Sequence, residues 1–459
     1  MFKNFRRIWI APAVVVVVLG IYFIPPVHER MARRLDDVRS QVKYFFDPPE
    51  QAVFLPTQQA AIDAIVNATM EAHALEQTAT ATPAVTPPTP AGPTAMPTTP
   101  PTPLLASVNL PGAGTVNQHG VHSWYTSQDG GWNLCAPSNL TMALRFWGWT
   151  GSRDDVIRVV KPGENDPSKS DVDRGKTDKN VMPYELVDFV NNDTKFKALQ
   201  RYGGDVDLVR KLVANGFPVL PEKGIYEEDT TLRTSWMGHY QFVNGYDDAT
   251  RTFLVQDSYK KGPNYRLSYS DFEQQWQSFD RVFIVVYPAD REGELMSLLG
   301  PYADPQWAAQ HALDMAVQDT HKAVGAPLFF AWFDQGTSDV ALQRYVDAAN
   351  AYDQAFTVYA TLDPNYSTRP WRMMWYQTGP YWAYFYSGRY QDVVRLANTT
   401  LDPSLLGVNT LEESLYWRGM AEYSLGDAAH ALDDVRRSVY YNKNFQAGIA
   451  KLQEWGSAP

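Results

Sequence analysis

Nucleophilic chemistry in this chain has one thiol to draw on. Cys135 is the sole cysteine in 459 residues, which excludes disulfide frameworks and four-cysteine zinc sites. It stands in Asn133-Leu134-Cys135-Ala136-Pro137-Ser138, directly before a stretch where Leu140, Ala143, Leu144 and Trp147 recur at helical spacing. Pro137 falls where a first helical turn tolerates it. A thiol at a helix N-terminus faces partial positive charge, which favours the nucleophilic thiolate. The competing reading is an inert core cysteine. A nucleophile of this kind needs a base, and His239, following Gly238 at the expected start of a strand, is the candidate. Asp257 lies on the next apolar run, across the turn Asp247-Asp248-Ala249-Thr250, so a hairpin brings it to His239 as an orienting acceptor. Gln128, upstream of Cys135, has an amide that can donate to a developing oxyanion alongside the Cys135 backbone N–H.

The surrounding pattern supplies elements to hold these groups. Residues 205–215 read as a helix with Leu208, Leu212 and Val213 on one face, closed by Gly216, and 217–220 read as a short strand. Residues 239–246 and 252–258 read as paired strands, and 282–287 (VFIVVY) as a buried one. A helix followed by several strands predicts an α+β domain. The charged stretch 161–179 reads as a solvated insertion.

The order Gln128, Cys135, His239, Asp257 resembles the papain-like cysteine peptidases of the bacteriocin-leader-processing type, cysteine-peptidase family thirty-nine. The resemblance covers roughly residues 110–299. It implies an α+β papain-like fold and cleavage of a peptide or related amide by a Cys-His-Asp mechanism without a cofactor. The chain departs from the family pattern at Ala136, where Gly is usual, and at Ser258, where Pro is usual. It also has no G-x-x-x-x-G-K-[ST] phosphate loop, so the double-glycine leader substrate does not carry over. Two other readings stay open: an inactive papain-like domain serving with the rest of the chain as an envelope binding protein, and a cell-wall amidase or acyltransferase.

The remainder of the chain is organised around this domain. Residues 8–24 form an uncharged run of 17, against the roughly 20 needed to span a bilayer as a helix. Residues 1–28 are therefore expected to be a single N-terminal membrane anchor, with the later domains outside the cytoplasm. Membrane-proximal helices over 29–81 precede a Pro/Thr-rich stalk over 82–103. The peptidase domain takes 104–300, and 301–459 is expected to be an all-α array of helical hairpins. Gln343-Arg344-Tyr345, Gly388-Arg389-Tyr390 and Gly426-Asp427-Ala428 repeat, as does Leu362-Asp363-Pro364 in Leu401-Asp402-Pro403. This resembles tetratricopeptide repeats, whose period is about 34 residues, and implies a protein partner for the array. Deleting the array is expected to spare the thiol site. The aromatic stretch 371–386 reads as repeat core, with a groove for an extended partner as the alternative. Forty Lys and Arg against 51 Asp and Glu, a net charge of −11, exclude a nucleic-acid partner. His119 with His122, and Asp171 with Asp173, lack the further ligands a metal site requires.

Overall fold

The computed structural model describes residues 38, 42–46, 48–57, 104–111, 124–128 and 133–458, apart from 165, 167, 230 and 403–408. Residues 8–24, the 82–103 segment, His119 and His122 lie outside them. Among the described residues no helix is long and apolar enough to cross a membrane.

The first half is α+β. Helix α1 (Cys135–Phe146) opens at the cysteine and buries Leu140, Ala143 and Leu144, the face its spacing predicts. Helix α2 (Arg153–Val160) starts on a capping box between Ser152 and Asp155. Helices α3 (Pro183–Asp193) and α4 (Val206–Ala214) follow. Asp205 caps α4 by accepting from the Leu208 N–H at 2.6 Å, and Gly216, at φ +83°, ends it in the left-handed region.

Two four-stranded sheets complete the domain. One runs β1 (Ser107–Asn109), β5 (Phe242–Asp247), β6 (Thr252–Gln256), β7 (Tyr265–Ser268). The other runs β2 (Phe196–Arg201), β8 (Phe283–Pro288), β3 (Leu220–Glu228), β4 (Thr234–Tyr240). The 282–287 run is β8, whereas 217–220 contributes a bridge between Val219 and Val243 and then the first residue of β3. The Asp-rich turn joins β5 to β6 in register, Tyr246 opposite Phe253. His239, expected to begin a strand, instead nears the end of β4. Gln241 alone separates β4 from β5, and there the chain passes from one sheet to the other. A continuous apolar run hides that bend, because periodicity registers alternation and not a change of pairing partner. Helices α5 (Tyr269–Gln277) and α6 (Glu292–Leu299) close the domain.

The second half is helical: α7 (Pro305–Thr320), α8 (Ala326–Ala341), α9 (Tyr345–Thr361), α10 (Gly379–Tyr386), α11 (Tyr390–Leu401), α12 (Glu412–Ser424), α13 (Ala428–Tyr441) and α14 (Gln446–Glu454). The three repeated motifs are the turns of the hairpins α8/α9, α10/α11 and α12/α13. Each turn holds one residue at positive φ: Gln343 at 59°, Gly388 at 79° and Gly426 at 92°.

This helical region is not a separate appendage. Trp236, Phe279 and Val282 of the first half share one hydrophobic core with Phe330, Trp375 and Tyr376 of the second. Asp229, beyond β3, accepts from the Arg372 guanidinium at 2.5 Å, from Tyr366 at 2.5 Å and from Ser235 at 3.0 Å. Residues 48–57 lie along the same helices. Phe54 packs edge-on to Phe356, centroids 5.0 Å apart, Arg369 donates to the Glu50 carbonyl at 2.6 Å, and Thr57 donates to Asp392 at 2.6 Å. Most of the aromatic stretch is core, as its density predicts, with Trp382 and Tyr386 exposed, and the helices carry an extended segment, which belongs to the chain itself.

Candidate active site

Cys135 is the first residue of α1, part-buried, with the helix dipole behind it. Its thiol shares a small cavity with His239 and Tyr240. Burial alone would push the thiol pKa up. The His239 hydrogen bond and charge, the Tyr240 backbone and the Lys161 charge outweigh it, so the net shift is downward.

His239 is 2% exposed and its Nε2 lies 2.9 Å from Asp257 Oδ2, which leaves Nδ1 as the nitrogen facing the thiol. Burial disfavours the imidazolium, but the charge and hydrogen bond of Asp257, followed by Cys135, raise its pKa to about 9. Asp257 sits one residue past β6. Its Oδ2 also accepts from Gln241, and its Oδ1 accepts from the Tyr259 N–H at 2.8 Å. Burial would raise its pKa; the His239 charge and these donors hold it well below the usual carboxylate range.

Gln128 is buried and lines the same small cavity, about 30 Å³, as Cys135 and His239. Its Oε1 accepts from Ser258 Oγ at 2.9 Å, and its backbone N–H donates to the Ser258 carbonyl at 2.8 Å. Three of the four residues singled out from the sequence, Gln128, Cys135 and His239, therefore line one cavity, and the fourth, Asp257, stands behind His239. Ala136 borders that cavity but is itself packed in the core with Leu140 and Ala143.

Several residues that shape the site escaped the sequence reading. Asn139, one turn after Cys135, donates through Nδ2 to the Cys135 carbonyl at 2.9 Å, the Tyr240 carbonyl at 2.8 Å and Ser258 Oγ at 2.9 Å. It ties α1 to β4 and to the Asp257 loop. A polar amide four residues past the nucleophile, beside Leu140 on the core-facing side of the helix, was the signal for it. Ser258, which replaces the family's usual Pro, links Asn139 to Gln128. Lys161 and Asp178 are a correction to the solvated reading of 161–179: both are fully buried, Nζ donating to the Asp178 carbonyl at 2.5 Å. Mutual neutralisation and hydrogen bonding make that burial tolerable, and the lysine charge reaches Cys135.

Glu222 on β3 pairs with Tyr240 on β4 and lines the Cys135 cavity. The Tyr240 hydroxyl donates to the Val181 carbonyl at 3.0 Å. Burial pushes the pKa of the Glu222 carboxyl well up. Among the described residues no group of three or more His, Cys, Asp or Glu is placed to hold a metal ion.

A cysteine at a helix start, a buried imidazole and a carboxylate just past β6 have the arrangement that a thiol hydrolase of papain-like type requires. Residues 115–284 match the model of the Peptidase_C39 like family, which supports the papain-like peptidase family for this part of the chain. Similar solved structures include a chain described as a C39-like peptidase from Bacillus anthracis, 17% identical, with a TM-score of 0.28, covering 39% of this chain and 96% of that one. Another is the peptidase domain of Streptococcus ComA, a bi-functional ABC transporter involved in a quorum-sensing pathway, 15% identical, with a TM-score of 0.26, covering 36% and 99%. No curated protein matches the chain.

Proposed function

We propose that the protein is a membrane-anchored cysteine peptidase that hydrolyses a peptide or related amide bond. The observation that carries this reading is the buried hydrogen bond from His239 Nε2 to Asp257 at 2.9 Å on an imidazole that lines one cavity with Cys135. In the reaction, Cys135 Sγ attacks the carbonyl carbon and the oxyanion is met by the Gln128 amide and the Cys135 backbone N–H. His239 protonates the departing amine, leaving a thioester on Cys135. It then takes a proton from water, whose oxygen attacks the thioester, and returns that proton to the thiolate as the acid product leaves.

The anchor is residues 8–24, with the later domains outside the cytoplasm, and the hairpin turns at Gln343, Gly388 and Gly426 favour a tetratricopeptide-like array able to hold a protein partner. The small volume beside Cys135 favours, as second reading, an inactive domain with a binding role. Iodoacetamide labelling of Cys135 followed by mass spectrometry separates the two. The peptidase reading expects labelling that slows sharply in His239→Ala together with cleavage of members of a peptide library; labelling indifferent to His239 sinks it. Protease shaving of intact cells tests the orientation, which fails if the domains are digested only after lysis.

A further inference from the structure

A second cavity, of about 260 Å³, lies between the two halves of the molecule. Its walls come from both: Met182, Phe279 and Val282 from the α+β half, Val340, Tyr376 and Trp382 from the helical half. Glu222 and Tyr376 line this cavity and the Cys135 cavity alike, so the two adjoin at that pair. The far end reaches solvent, where Tyr184, Ala341 and Trp382 are exposed. Among the described residues no Lys, Arg, His or Asp lines it, and its one carboxyl is that of Glu222, itself buried.

From this geometry we infer that the cavity is a substrate subsite that takes a branched aliphatic or aromatic side chain of the peptide, so that the helical region builds part of the substrate site. The inference rests on the peptidase reading and adds the class of residue the substrate carries near the cleaved bond. Three observations converge on it. The volume falls just below the roughly 300 Å³ at which sites for whole small molecules begin, a size for one large side chain. Its largely apolar wall stabilises such a side chain by burial, while a carboxylate would meet no cation there and an ammonium would lose its water for a single carboxyl that burial itself disfavours as an anion. Its inner wall, Glu222 and Tyr376, also lines the cavity of the nucleophile, so a chain bound across Cys135 passes beside it.

The experiment uses the full chain and a library of internally quenched peptides in which each position flanking the cleaved bond is varied among Leu, Phe, Ala, Asp and Lys. At one position, Leu or Phe is expected to exceed Ala in kcat/KM by about 10-fold or more, and Asp and Lys to fall below Ala, in the range hydrophobic pockets achieve. Ala341→Trp, at an exposed helix end where bulk is tolerated, should narrow the mouth and shrink the Leu to Ala ratio several-fold. Trp382→Ala should widen it and relax the preference, with thermal melts of both variants reporting their folding. Iodoacetamide labelling is followed in parallel. His239-dependent labelling with no such preference, or a preference both variants leave intact, overturns the subsite while the thiol reading stands. Labelling without cleavage of any peptide overturns the subsite together with peptide as the substrate. Loss of His239-dependent labelling in the unmodified protein removes the peptidase reading itself.

Discussion

The ring of Tyr376 lies against Gly238, the residue before the candidate base: a Cβ added at Gly238 would be 2.8 Å from two ring carbons of Tyr376 and 2.8 Å from Phe279 Cζ. Glycine is what allows the helical region to press onto the strand that carries His239. Gly238→Ala should therefore cost about 1–3 kcal/mol and lower the melting temperature. It should also slow His239-dependent alkylation, because relief of the overlap moves β4. An unchanged melt would show that the ring simply swings aside.

The same contact reverses the expectation that 301–459 can be deleted without harm. Removing it uncovers Trp236, Phe279 and Val282, which share their core with Trp375 and Tyr376. A truncation ending at Leu299 should aggregate or lose cooperative unfolding. A soluble truncation that unfolds cooperatively and still shows His239-dependent labelling would contradict this.

The thiol and imidazole titrate as a pair. With the Cys135 pKa lowered and that of His239 raised to about 9, alkylation should already be fast near neutral pH. In His239→Ala the profile should move up to or beyond the free-thiol value of about 8.5. For stability, His239 has a folded pKa above its unfolded value of about 6.5. Its contribution is complete below that value and is lost as pH rises through about 9. Asp257, depressed in the fold, acts oppositely: its contribution is present above about 3.9 and lost in acid. Chemical denaturation at several pH values should show both flanks in the native protein and neither in His239→Ala/Asp257→Asn.

Ser258 and Gln128 can be separated from the thiol. Gln128→Ala should lower kcat by roughly 10²–10³ with the alkylation profile unmoved. Ser258→Ala removes the hydroxyl that bonds the Gln128 carbonyl and the Asn139 amide and should lower kcat by less, with KM nearly constant. A shift in the alkylation profile of either variant would mean that these residues set thiol reactivity and not oxyanion binding.

At the interface between the halves, Asp334 Oδ1 accepts the Asp280 backbone N–H at 3.0 Å and Asp280 Oδ2 accepts from Ser338 at 2.7 Å. Burial raises the Asp280 pKa to about 8 and that of Asp334 well up. A carboxyl with a raised folded pKa binds more protons when folded, so stability falls as pH rises from about 4 to about 8. Asp280→Asn should thus be more stable than the native protein at pH 8 and should show a flatter pH dependence in denaturant melts.

Residues 48–57 predict a further stability effect. Phe54 is buried between Phe356 and Tyr384, so Phe54→Ala should cost about 3 kcal/mol even though it lies far from the site in sequence. Both flanks of residues 58–103 are held on the folded body, Thr57 through Asp392 and residues 107–109 through β5.

What the sequence determined by itself was local. The cysteine at a helix start is legible because Pro137 and the spacing of Leu140, Ala143 and Leu144 act within a few turns. The β5/β6 hairpin is legible because an Asp-rich turn lies between two apolar runs, but His239 belongs to β4 of the other sheet and meets Asp257 only through the passage between sheets at Gln241. The hairpins are legible from three repeated turns. The tertiary structure decided what depends on residues far apart in the chain: Tyr376 over Gly238, the Lys161 pair with Asp178, the Ser258 link between Asn139 and Gln128, and the seat of residues 48–57. Such contacts impose no period on either partner, so no pattern in the chain announces them. They arise when two apolar surfaces close on each other and every polar group caught between them must find a partner.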